Sequence, residues 1–135
     1  MASGIYNRFK ANLFNKVVDL EGDTVKVALY DNSHAFTATD TDYTTTNELA
    51  TTGGYTQAGA TLAGKAVTEA ATTKWDATDL AWTSSTFTAY HAVIYDSTVG
   101  ATDNLICSID FGGAKAVSAG TFTIIWDSDG IITLA

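Results

Sequence analysis

His34 and His91 are the only histidines in this sequence, the residue type whose ordinary pKa lies nearest neutral,. His91 lies in an apolar run between Tyr90 and Ala92, the setting of a packed or edge imidazole. His34 follows the turn Asp31-Asn32-Ser33 and is expected to be solvated,. No G-x-S-x-G elbow presents a serine nucleophile,. Cys107 alternates with Leu105 and Ile109, as a buried and inert thiol would,. One cysteine and two histidines cannot supply a zinc-ligand set,. Asp40-Thr41-Asp42 and Asp127-Ser128-Asp129-Gly130 look like pieces of calcium loops. Both lack the further acidic ligand and the closing Glu, and ordinary turns need the same residues,. Gly53-Gly54 runs into Tyr55 without the Lys of a phosphate loop,. Among Glu21, Glu48, Glu69 and the aspartates, nothing marks a pair for glycoside hydrolysis,. Trp75, Trp82 and Trp126 could stack on a sugar or fill a core, Trp126 being the one most expected inside,. The sequence thus assigns no catalytic residue, metal or cofactor, and the expectation is a chain that is not an enzyme.

The elements that carry these residues are strands for the most part. The 135 residues suit one domain, 1–135, large enough to bury a core of its own,. Charged residues make up only 16%, and Thr, Ala, Ser and Gly take their place,. Thr favours a pleated, half-buried surface. Seven cations against fifteen acids give a formal charge of −8, a field that repels nucleic acid and anionic membranes,. No apolar run is long enough to span a membrane and no secretory signal is visible, so synthesis in a cytoplasm is expected.

Ile5, Phe9 and Leu13 fall at helical spacing, which predicts a short helix and makes 1–20 a helical N-terminal arm,. After Glu21-Gly22-Asp23 the period changes. Val25, Val27 and Leu29 alternate with Lys26 and Ala28, the mark of a strand,. Residues 35–54 are polar and Thr-rich, a long surface loop of the kind that often contacts something,. Gly59 and Gly64 mark bends. Strands are expected at 72–75, 80–83 and 87–95, and again from Leu105 until Gly112-Gly113 ends that run. Phe122 to Trp126 and Ile131 to Leu134 read as a terminal hairpin around Asp127–Gly130,. The fold class that follows is mainly β, an antiparallel sandwich or barrel-like single domain with a short N-terminal helix.

A set of segments then stands out in order. They are Asp23-Thr24-Val25-Lys26-Val27-Ala28-Leu29-Tyr30, Thr46-Asn47-Glu48-Leu49, Gly53-Gly54-Tyr55-Thr56 and Gly59-Ala60-Thr61-Leu62. Ala92-Val93-Ile94-Tyr95-Asp96, Leu105 to Phe111, Phe122 to Trp126 and Gly130-Ile131-Ile132 complete it. Together they resemble small virion structural proteins of tailed double-stranded-DNA bacteriophages, most of all the capsid decoration (cement) proteins. The resemblance implies a β domain bound to the outer head surface of the virion, stabilising it. It also implies contact with the major capsid protein or other virion subunits and assembly as a homo-oligomer, a trimer being favoured. A neck, tail or head-fibre component is the alternative, and a carbohydrate-binding β-sandwich the second. Ile5, Tyr6, Phe9, Leu13, Tyr43 and Tyr55 are the expected interface residues, from the arm, the long loop and the position just after it. On this view, deleting residues 1–12 should abolish binding to the particle while leaving the domain folded.

Overall fold

The computed structural model describes residues 3–98 and 103–135. Gly4–Ile5 form β1 and Asn7–Phe14 the helix α1. Then come β2 (Val25–Tyr30), β3 (Ala60–Thr61), β4 (Ala66–Thr68), β5 (Thr73–Asp76), β6 (Leu80–Asp96), β7 (Asn104–Ile124) and β8 (Ile132–Leu134). Every ladder is antiparallel. One sheet has the order β1-β7-β6-β2-β3 and a smaller one β4-β5-β8. The chain is mainly β with one short helix, as the composition implied. No helix among the described residues is long and apolar enough to cross a membrane.

Alternation in β2 sets the two sides of the large sheet. Val25, Val27 and Leu29 face a core shared with Ala92, Ile94 and Ile106, which Phe9 of α1 and Trp75 and Ile132 of the small sheet close off. Ala28 and Tyr30 face the other way, into a second cluster with Tyr6, Val93, Tyr95 and Leu105. Both faces are therefore apolar, which explains why the middle of β6 reads as a continuous hydrophobic run. Gly59 sits where the chain crosses β2. Its φ is +81°, and a Cβ there would lie 1.9 Å from the Val27 carbonyl oxygen, so only glycine fits.

Three expectations are corrected. Gly112-Gly113 does not end β7, which runs on to Ile124. Tyr90 alone separates Ala89 from His91, whereas residues 111–114 separate their partners Lys115 and Asp110. The two glycines, both at positive φ and both in open space, form a bulge in a continuing strand,. The terminal hairpin is absent, because β8 pairs with β5, Trp75 opposite Ile132. The turn at Asp127–Gly130 lies against Trp75, whose carbonyl accepts from the Ile131 N–H at 2.7 Å, and this lays the chain end on the small sheet. Finally, the arm is no free arm. Its helix is docked through Phe9, and β1 is paired to β7, Ile5 opposite Cys107.

Candidate functional site

Residues 31–49 carry most of the polar groups that could form a site, and they lie over the second face of the sheet. Phe36 and Tyr43 point down into the cluster around Tyr30 and Tyr95. Tyr43 stacks on Tyr95 with ring centroids 4.5 Å apart. Bridges Asp42–Asn104 and Tyr30–Glu48 fasten the loop near its middle and near its end. The expected surface loop is thus a cover that completes the fold, a role its Thr-rich composition does not reveal.

Glu48 is the hub beneath this cover. It is buried, and it accepts hydrogen bonds from the Tyr43 hydroxyl, from the Tyr55 hydroxyl at 2.6 Å and from the Ala58 N–H at 2.8 Å. The Tyr55 hydroxyl in turn accepts from the Leu29 N–H of β2 at 2.9 Å. Burial, and then the hydrogen bond to Glu48, push the Tyr55 and Tyr43 hydroxyls well above the usual tyrosine range,. These are fixed donors rather than acids at work.

A histidine cluster lies at the far side of the same cover. His34 Nε2 is 3.1 Å from Ser108 Oγ, and the His34 and His91 ring centroids are 5.0 Å apart. His91 Nδ1 is 4.0 Å from Asp110 Oδ1. Serine, histidine and aspartate are all present, but the serine contacts one imidazole and the aspartate the other. A relay needs a single histidine between the two. Ser108 is also buried and faces the Tyr6 hydroxyl, so no substrate carbonyl reaches its oxygen. His34 is half-buried rather than solvated, tucked against Tyr30 and His91. A cleft of about 590 Å³ opens beside this cluster, lined by Tyr30, His34, Asp40, Asp42, Tyr43 and Asn47 among others.

The cluster makes stability depend on pH. Burial lowers the pKa of both His34 and His91. The neighbouring imidazole adds to the effect at His34, and Asp110 works against it at His91. A histidine with a lowered folded pKa stabilises fully above its unfolded value of about 6.5 and loses that contribution as pH falls. Asp96 acts in the opposite sense. Burial, then a hydrogen bond with Asp23, push its carboxyl up to about 7. Its contribution is complete below the unfolded value of about 3.8 and is lost as pH rises through about 7. Between roughly pH 5 and 7 the two slopes oppose. Asp96→Asn removes the second, so melting temperature should climb more steeply with pH in the variant than in the parent. Parallel melting curves across that range would sink the assignment.

The sequence-picked interface residues separate into three groups. Tyr6 (1% exposed), Phe9 (2%) and Tyr55 (1%) are interior. They hold the domain together and present nothing to a partner, which corrects the expectation for these three. Tyr43 is half-buried under the cover. Ile5 and Leu13 lie at the surface. The residue the periodicity missed is Phe14, 93% exposed at the end of α1, with Val17 also exposed three residues on. Beside them, Leu13, Val17, Val67, Trp75, Ile132 and Leu134 are among the residues lining an apolar groove of about 440 Å³ between the helix and the small sheet. Apolar spacing alone points to positions 5, 9 and 13 as one face. The helix instead turns Tyr6, Phe9 and Asn12 inward, which leaves position 14 outside.

No family model, curated protein or solved structure matches the chain.

The remaining candidates resolve by burial. Cys107 is buried, and its thiol is pushed up to about 12 by burial alone. Trp75 and Trp82 are interior and offer no face to a sugar. Trp126, expected in the core, is only half-buried at its edge, where its indole N–H donates to the Thr78 carbonyl at 3.2 Å. Among the described residues, no three His, Cys, Asp or Glu side chains converge in a way that could hold a metal ion.

Proposed function

We propose that this chain is a non-enzymatic structural subunit of a tailed-phage virion. In that role it acts as a decoration protein on the outer capsid surface, as part of a homo-oligomer. One observation carries the reading. Both faces of β2 are buried and His34, His91, Glu48 and Cys107 are committed to internal contacts, while Phe14 stands 93% exposed beside an apolar groove. An exposed aromatic of this kind on a small domain is an anchor for another protein surface. The ordered sequence segments supply the particle, and the anchor supplies a means of joining one subunit to the next. Many weak contacts repeated by symmetry hold such a subunit in place through effective concentration.

Gold-labelled antibody against the protein, applied to intact tailed-phage particles that carry it, tests the reading. Label spread over the head is the expected result. Label confined to one vertex or to the tail would move the protein to the neck, tail or a fibre. Absence of label from every particle would overturn the virion role.

A further inference from the structure

Two surface patches of opposite character remain once the interior is accounted for. Residues 3–18 carry Arg8, Lys10 and Lys16 and no acid, while the other residues hold all fifteen acids against four cations. Phe14 stands within the cationic stretch, one helical turn after Lys10. The opposite patch lies where the two long strands meet, at Leu80 and Ile124. Segments 76–84 and 121–135 carry Asp76, Asp79, Asp127 and Asp129 and neither Lys nor Arg. Ile125, 76% exposed, sits among them, and Asp79 accepts from the Trp126 N–H beside it at 2.9 Å. Two ammonium groups come near: Lys74 is held by the Ser128 carbonyl at 2.7 Å, and Lys115 lies on the adjacent cleft. They leave the patch acidic, four carboxylates to two cations.

The cleft beside Ile125 has a volume of about 290 Å³, with Phe111, Phe122 and Ile124 in its walls. A benzene ring needs a cavity of about 150 Å³, so a phenyl side chain has room there. An apolar knob flanked by positive charge suits such a cleft, and Phe14, between Lys10 and Lys16 in the chain's own N-terminal segment, is such a knob.

We infer that the chain associates head to tail, with Phe14 of one copy entering the Ile125 cleft of the next. Lys10 and Lys16 then face Asp79, Asp127 and Asp129 across the contact. Because the two patches differ, the contact is heterologous, and copies close into a ring or extend as a file according to the rotation between them. Exposed ion pairs of this kind weaken as salt rises. The inference concerns the isolated chain and does not depend on the virion reading.

Sedimentation velocity of the purified full chain up to about 0.2 mM tests it. The parent should form oligomers that dissociate at least partly as salt is raised from about 20 mM to about 500 mM. Phe14→Ser and Ile125→Ser should each be monomeric where the parent associates, with unchanged circular dichroism because both side chains lie outside the core. An equimolar mixture of the two variants should form dimers and nothing larger, since each retains the patch the other has lost. A parent that stays monomeric overturns the inference, and so does association that survives either substitution. Two monomeric variants that fail to pair on mixing overturn the head-to-tail arrangement.

Discussion

Glu48→Ala should lower the melting temperature by roughly 10–15 °C, the largest effect expected from a single polar substitution in this chain. The carboxylate satisfies three donors, the Tyr43 and Tyr55 hydroxyls and the Ala58 N–H. Alanine orphans all three at once. A buried donor left without its partner costs about 1–3 kcal/mol, and hydrogen bonds to charged groups lie at the upper end. Tyr43 is only half-buried and regains some water, so about 4 kcal/mol is the reasonable total. That is a large part of the roughly 5–15 kcal/mol that holds a domain of this kind together. Glu48→Gln separates charge from connectivity. Its amide oxygen still accepts, and one tyrosine hydroxyl can rotate to accept from the amide, so a loss of only about 1 kcal/mol is expected. Thermal or denaturant melts of both variants decide the matter. A loss below about 1 kcal/mol for the alanine variant would mean that water replaces the carboxylate, and that the cover is held by its aromatic contacts alone.

Removal of residues 1–12 should abolish folding altogether. The deletion takes away β1, which pairs with β7, and with it Tyr6 and Phe9, one from each of the two core clusters. Truncating a buried aromatic costs about 3–5 kcal/mol. Two of them cost about 6–10 kcal/mol, which equals or exceeds the stability of many single domains. Circular dichroism and a one-dimensional proton NMR spectrum of the truncated chain check this outcome. A cooperative melt with dispersed methyl signals would show that the segment is a separable arm after all. A role for this end of the molecule in binding is therefore better probed at Phe14, whose side chain is almost wholly in solvent, than by truncation.

The contrast between these two predictions shows what could be read from the sequence. Val25, Val27 and Leu29 announce β2 because alternation survives any choice of partner strand. The glycines at 59 and 64 announce bends because their φ values, +81° and +62°, suit no other residue well,. Cys107 was legible as interior because Leu105 and Ile109 flank it at spacing two, and His91 because it lies in an apolar run. Glu48 was not legible. A lone carboxylate in a Thr-rich stretch looks solvated, and what buries it is Tyr55, seven residues away, and the Tyr43 ring packed on β6. The placement of Ile132 opposite Trp75 was equally hidden, because local turn residues at 127–130 suit a hairpin and the competing partner is far off in sequence. Phe14 was missed for a subtler reason. Several apolar spacings fit one short helix, and only the docking of that helix selects among them.

The pairing order has a consequence for how the protein is made. Val27 of β2 pairs with Ile94 of β6, 67 positions later in the chain. At about 5–20 residues per second, a ribosome needs roughly 3–13 s to synthesise that interval. Throughout it, Val-Lys-Val-Ala-Leu-Tyr is a largely apolar segment without β6, its main partner, and the second strand of the long hairpin has yet to appear. The nascent chain is thus most vulnerable to aggregation early, before β6 has emerged. Binding of a holdase chaperone to the emerging 25–30 segment would protect it until its partner arrives.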